Sequence, residues 1–261
     1  MNRVIDIINI IEKLAPPSLA EPWDNVGLMV GDLNNEVNKI LFALDSSEAV
    51  IDEAINLGAD MIITHHPFIF KGVKSVTNNT PLGKKIYKAI KSDISIYSAH
   101  TNFDIAEGGT NSVLSSLIGL KEIEPLIEVS DGNFIGKCGR VDKIEFNKFI
   151  EDFKRKIGAN YLVVNGNLNS KISKIALCTG KAASADYIYA AKSKGCDLYI
   201  TGDIVYHDAQ VAEDLGICLI DGTHYLTEVI AIPKLCYYVK NNFNDIECVC
   251  SKINGQTLNI V

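Results

Sequence analysis

Two groups of metal-type donors stand far apart in this sequence: His65-His66-Pro67, answered by Asp104, and His224 with Glu228 near the end. Imidazole and carboxylate together suit a borderline divalent cation such as zinc, iron, manganese or nickel, whereas magnesium and calcium sites are built almost wholly from oxygen. Five donors exceed what one four-coordinate ion takes, and each carboxylate has two oxygens that can bridge. The chemistry these types suggest is a two-metal centre.

Spacing supports this at both places. Adjacent residues inside a strand face opposite sides, so a His-His pair serves one site only where the strand has ended, and Pro67 marks that end. His224 and Glu228 are spaced i, i+4, which puts both on one face of a helix. Each feature also has an ordinary reading: a surface or capping histidine pair, a helix-face hydrogen bond, and Asp104 as an N-cap before a helical run. His100 is less suited to direct ligation. His207, in Thr201-Gly202-Asp203-Ile204-Val205-Tyr206-His207, is either a proton donor near the metals or a helix-start histidine without a role in chemistry. Lys71 and Lys74 are the cations nearest in sequence to the His-His-Pro turn and would neutralise a substrate phosphate, although loop lysines are commonly just solvated.

The elements that must position these donors alternate between short apolar runs and amphipathic segments. An opening helix carries Val4, Ile7, Ile8, Ile11 and Leu14 and ends before Pro16-Pro17, and a loop follows through Trp23, Gly27 and Gly31. Strands are expected at 39–45, 60–64 and 94–99, with helices near 48–57, 82–92 and 110–118. After Ser130 the pattern restarts: strands near 134–141, 161–164, 172–178, 197–201 and 217–221, and helices near 146–156, 182–194, 208–215 and 225–239. Pro233 is expected to kink or break the last helix. This is the signature of an α/β protein with parallel strands.

The halves repeat one another. Lys39-Ile-Leu-Phe-Ala-Leu, a helix, then Gly58-Ala-Asp60-Met-Ile-Ile-Thr64 corresponds to Lys174-Ile-Ala-Leu-Cys, a helix, then Gly195-Cys-Asp197-Leu-Tyr-Ile-Thr201. One strand further on, the run ending at His100 matches the run ending at His224. The expected domains are 1–128, with the His-His-Pro and Asp donors, and 129–261, with the His and Glu donors, the C-terminal helix packing back on the first. All candidate ligands then fall beyond strand ends, where sites collect in open α/β sheets, and a centre at the junction would draw on both halves.

Composition removes other classes. The chain has 261 residues, is 47% hydrophobic, and carries a net charge of -7, which argues against a general nucleic-acid binder. Asp6 and Glu12 interrupt what would be the apolar part of a signal peptide, and no run of about 18 apolar residues suggests a membrane span. Seven cysteines, all from Cys138 onward and without a C-x-x-C pair, point to a reducing cytoplasm rather than a disulfide framework. Cys248-Val-Cys250 resembles small apolar fillers in a strand more than a soft-metal pair. Neither a G-x-G-x-x-G fingerprint, a P-loop nor a G-x-S-x-G elbow is present.

Five motifs together resemble one family: Trp23-Asp24-Asn25-Val26-Gly27-Leu28, Ile63-Thr64-His65-His66-Pro67, Ala99-His100-Thr101-Asn102-Phe103-Asp104, Thr201-Gly202-Asp203 and His224-Tyr225-Leu226-Thr227-Glu228. The chain is similar over nearly its whole length to the NIF3-like dinuclear metal-centre proteins, also called GTP cyclohydrolase 1 type 2 homologues. The resemblance implies two similar, intertwined three-layer α/β/α domains from an internal duplication. It implies that His65, His66, Asp104, His224 and Glu228 ligate two metal ions, with the carboxylates placed to bridge. It also implies a ring-shaped homohexamer. Thr227 and Asp203 stand where serine and glutamate are frequent, and the extra central domain of longer relatives has no room between Ser130 and Phe134. Two functions compete: a metal-dependent hydrolase acting on a purine nucleotide such as GTP, and a non-catalytic metal-handling or scaffold protein.

Overall fold

The computed structural model describes residues 1–130 and 132–258, which form two compact units. One unit comprises Met1–Glu107 and the returning segment from Ile232 onward; the other is Gly108–Ala231.

The first unit opens with α1 (Val4–Leu14), whose buried Val4, Ile7, Ile8 and Ile11 form a single apolar stripe. There follow β1 (Gly27–Val30), β2 (Lys39–Ala43), α2 (Glu48–Leu57), β3 (Met61–Thr64), α3 (Pro81–Lys91), β4 (Ser95–Ser98) and the short α4 (Thr101–Ile105). Side-chain oxygens of Ser47 and Thr80 accept the N–H groups of Val50 and Gly83, fixing where α2 and α3 begin. The second unit contains α5 (Thr110–Ile118), β5 (Lys121–Ser130), β6 (Asn133–Glu145), α6 (Phe146–Lys156), β7 (Val163–Asn165), β8 (Lys171–Lys181), α7 (Ala185–Ser193), β9 (Leu198–Gly202), α8 (Tyr206–Leu215), β10 (Cys218–Asp221) and α9 (His224–Val229). The chain then returns to the first unit as α10 (Ile232–Lys240) and β11 (Glu247–Cys250). Pro233 is the second residue of α10, where a missing N–H breaks no helical bond, so the expected long helix is two.

In the first unit the sheet order is β1-β4-β3-β2-β11, parallel except for β1, which runs antiparallel to β4. Leu41, Ala43, Ile62 and Ile96 pack on one face with Val50 and Ile51 of α2 and Ile86 of α3. Their strand neighbours Ile40 and Phe42 point the other way, where α10 packs on β2 and against α1. Burial on both faces explains why β2 and β3 read as continuous apolar runs. In the second unit the order is β5-β6-β8-β9-β10-β7, with only β8, β9 and β10 mutually parallel. Its main core joins Leu114 of α5 and Phe146, Phe149 and Phe153 of α6 to Ile175, Leu177, Leu198, Ile200 and Ile220 of the strands. Each such side chain contributes about 1.5–3 kcal/mol of burial. Among the described residues no helix is long and apolar enough to cross a membrane.

The units share a hydrogen-bonded frame. Asp60 Oδ2 accepts the N–H groups of Asn38 and Lys39 at 2.7 and 2.9 Å; Asp197 Oδ2 accepts those of Ser173 and Lys174 at 2.8 and 2.9 Å. Ser95 and Cys218 donate to the carbonyls of Asp60 and Asp197, both at 3.0 Å, and Ala99 and Gly222 to those of Thr64 and Thr201 at 2.9 and 2.8 Å. This register corrects one detail of the sequence alignment. With Ala99 equivalent to Gly222, His100 matches Thr223, and His224 matches Thr101; aligning the two histidines by type had required an extra residue.

The partition also differs from the 1–128 and 129–261 division read from the sequence. Residue 128 lies inside β5, which hairpins onto β6 and so belongs to the second sheet, and α5 packs on β6 and β8. Gly27–Val30, expected as loop, is an edge strand.

Candidate metal centre

In the first unit the donors leave the sheet at the end of β3. Thr64 Oγ1 donates to the His66 carbonyl at 2.9 Å and His66 N–H donates to the Leu44 carbonyl at 2.9 Å, so the chain turns there and both imidazoles are released from strand alternation. His65 is fully buried, and its Nδ1 lies 2.9 Å from the Ala99 carbonyl. A carbonyl only accepts, so Nδ1 carries the proton and Nε2 the lone pair. That Nε2 is 3.5 Å from Asp104 Oδ1. His66 Nδ1 bonds Asp45 Oδ1 at 2.8 Å, and His100 Nδ1 bonds Asp24 Oδ1 at 2.8 Å. One nitrogen from each of His65, His66 and His100 falls within 4.8 Å of the others. Asp104 lies within α4, whose N-cap is His100, and is buried; it is not the helix cap that its sequence context allowed.

The second unit presents its donors from α9. His224 Nδ1 bonds Asp203 Oδ2 at 2.9 Å and its Nε2 lies 3.2 Å from Glu228 Oε2, one helical turn on, with Glu228 buried. Two glycines make the room. Gly180 has φ +66°, and a Cβ there would run into Glu228 Oε1. A Cβ on Gly202 would come within 2.6 Å of the His224 backbone nitrogen.

These distances suit ligation. Donors about 2.0–2.1 Å from a tetrahedral ion stand roughly 3.4 Å apart. The His65–Asp104 and His224–Glu228 separations of 3.5 and 3.2 Å bracket that value. The four histidines of these clusters turn Nδ1 to an oxygen, three of them to a carboxylate, the arrangement that fixes a metal-binding imidazole.

Asp24 holds His100 in the first unit. Burial works against its charge, but hydrogen bonds from the His100 ring and from Thr101, with the His100 charge, hold its pKa at about 2. Trp23 stands beside it, exposed, with its ring 6.1 Å from those of both Phe70 and His100.

The remaining sequence candidates lie at the surface. His207 is on the first turn of α8, exposed, with Nδ1 3.0 Å from Gln210 Oε1 and its ring edge-on to Tyr206. Lys71 and Lys74 are exposed in the connection between β3 and α3. Sequence reasoning did not assign Asp24, Asp45 and Asp203 as the groups that orient histidines, nor Gly180 and Gly202 as spacers. Asp24 and Asp203 did sit in noted motifs; Asp45, just past the end of β2, carried no signal beyond its position.

A duplicated α/β scaffold presenting histidines and carboxylates, each imidazole oriented by an oxygen acceptor, defines a class of α/β proteins whose donors could hold a metal ion. The chain belongs to the Duf34/NIF3 (NGG1p interacting factor 3) family, whose model matches residues 2–256. It is 40% identical to a GTP cyclohydrolase 1 type 2 homolog of Clostridium perfringens, over 96% of both chains. A protein of the same name from Methanocaldococcus jannaschii is 36% identical over 94% of this chain and 97% of its own. Among solved structures, a Bacillus cereus protein related to NIF3 matches with a TM-score of 0.92 at 25% identity, covering 100% of this chain and 99% of its own. Reduced HcgD of Methanocaldococcus jannaschii matches at 0.85 and 34% identity, covering 97% and 98%.

Proposed function

We propose that His65, His66, Asp104, His224 and Glu228 are the ligands of a pair of divalent metal ions, and that the chain is a metal-dependent hydrolase acting on a purine nucleotide. The observation that carries this reading is the tautomer set. Each of these histidines commits Nδ1 to an oxygen and so offers Nε2 as a donor beside a carboxylate or another imidazole. Zinc, iron, manganese and nickel all suit such donors. Bound ions of this kind supply Lewis acidity and ionise water near neutral pH. The chain's own residues do the rest: Ala99, Asp45 and Asp203 hold the imidazoles, Lys71 and Lys74 meet substrate phosphates, and His207 returns a proton to the departing ring nitrogen.

The name shared by the relatives makes GTP the first substrate to test, and hydrolytic opening of its imidazole ring releases formate. Formate release by metal-loaded protein, lost in Asp104→Ala, supports the reading. Absence of turnover of GTP and related purine nucleotides with every suitable metal ends the hydrolase part and leaves metal handling. Two features favour that second reading: the net charge of -7, and a sequence without a P-loop. A ring-shaped homohexamer belongs to the same proposal; light scattering that returns a monomer at micromolar concentration contradicts it.

A further inference from the structure

We propose that Cys236, Cys248 and Cys250 form a peroxide-sensitive thiol site in which Cys236 closes a reversible disulfide with Cys248. All three lie in the returning segment of the first unit, and none belongs to the donor groups discussed above. Cys236 is buried on α10, and Cys248 and Cys250 are half-buried on β11, the edge strand beside β2. Strand alternation sets their direction. Val249 packs into the core shared with α2 and α3, so Cys248 and Cys250 face the opposite side, where α10 lies against β11. Two sulfurs from alternate strand positions therefore flank one sulfur from the helix.

A filler role would leave three inert thiols in an apolar setting, but here they act on one another. Cys248 is lowered, first by the hydrogen bond it accepts from Cys236 and then by the nearby Lys240 charge, against burial. Cys236 is pushed up to about 11, first by that same bond to Cys248, and Cys250 is raised by its own bond to Cys236. Cys236 is buried and Cys248 only half-buried, so Cys248 is the thiol a peroxide reaches, and Cys236 on the facing helix is the resolving thiol; the lowered pKa of Cys248 points the same way. Among the described residues the three sulfurs do not form a set tight enough to share one metal ion.

The step balances with a peroxide as oxidant. Cys248 gives up its proton and the thiolate attacks one peroxide oxygen; the O–O bond breaks, the departing hydroxide takes up that proton and leaves as water, and Cys248 becomes a sulfenic acid. The Cys236 sulfur then attacks the Cys248 sulfur, gives up its proton as the S–S bond forms, and a second water leaves. The two thiols are oxidised and the peroxide is reduced; a small-molecule dithiol reverses the bond by exchange.

The test is hydrogen peroxide treatment of the full chain, followed by thiol blocking, digestion and mass spectrometry. Expected is a linked Cys236–Cys248 peptide that disappears on reduction with dithiothreitol. Cys236→Ser should show no link in this region, while Cys248→Ser should move the link to Cys236–Cys250 at a rate at least tenfold slower. Circular dichroism of both variants checks that they fold, and the half-exposed position of Cys248 keeps that variant informative if Cys236→Ser does not. The proposal is overturned if all three thiols stay reduced, if a link forms that omits Cys236, or if zinc alone protects all three thiols of the wild-type chain from alkylation.

Discussion

The ends of the equivalent strands β3 and β9 carry the same backbone frame and opposite solutions for placing donors. In the first unit the strand end itself supplies imidazoles, His65 and His66, and Asp45 steadies His66. Counting along the frame from Thr64 and Thr201, His65 and His66 correspond to Gly202 and Asp203; counting from Lys39 and Lys174, Asp45 corresponds to Gly180. The second unit therefore has glycines where the first has a histidine and a carboxylate. The vacated Cβ space admits the His224 backbone at Gly202 and the Glu228 carboxylate at Gly180. Both units bring a carboxylate from a helix, Asp104 and Glu228, but only the first adds imidazoles from the strand end. In the second, two missing Cβ atoms, at Gly180 and Gly202, leave room for α9 instead.

Gly180→Ala should break the comparison most severely. Its methyl group meets Glu228 Oε1 at a positive φ, so crowding costs about 1–3 kcal/mol and the backbone roughly 1–2 more. Urea unfolding should show the loss, with metal binding falling alongside; unchanged stability and metal content would mean that Glu228 does not need this space. Next come the orienting carboxylates. Asp45→Asn and Asp203→Asn should each weaken metal affinity about 10–100-fold, measured by competition with a chelating dye. A large effect in one and none in the other would show that the two units orient their histidines by different means.

Asp24, which holds His100 in the first unit, is expected to act on folding. Its folded pKa of about 2 lies below the ordinary aspartate value, so its stabilisation is complete above the unfolded pKa and is lost as pH falls through about 2. The difference corresponds to about 2 kcal/mol. Asp24→Asn should be less stable than wild type by that order at pH 7, with the gap narrowing below pH 4; a gap independent of pH would remove the charge from the explanation. The smallest effect is expected at His207. Exposed on α8, His207→Ala should change stability by less than about 0.5 kcal/mol and leave metal content unaltered, while slowing any formate release.

Much of this was legible in the sequence because the relevant physics is local. The strand-and-helix alternation through β2, α2, β3, α3 and β4 is written in apolar runs and cap residues, and the Gly-x-Asp-φ-φ-Ile-Thr repeat announces the duplication. What escaped depends on distant partners. β5 holds Pro125 and several charges at a sheet edge and gains strand character from pairing with β6, so its local pattern does not mark it as part of the second sheet. The His100–His224 match is off by one residue because the two histidines agree in type but not in backbone register. The orienting acids were hidden for the same reason: Asp24 lies 76 residues from His100, and Asp45 lies 21 from His66.

The account rests on the five ligands, and the most direct test is metal content by elemental mass spectrometry of protein purified without chelators and reloaded with zinc, iron, manganese or nickel. Wild type is predicted to hold about two ions per chain, and Asp104→Ala and Glu228→Ala well below that. Wild-type protein that retains no metal under any loading, or both variants keeping the full wild-type load, would contradict it.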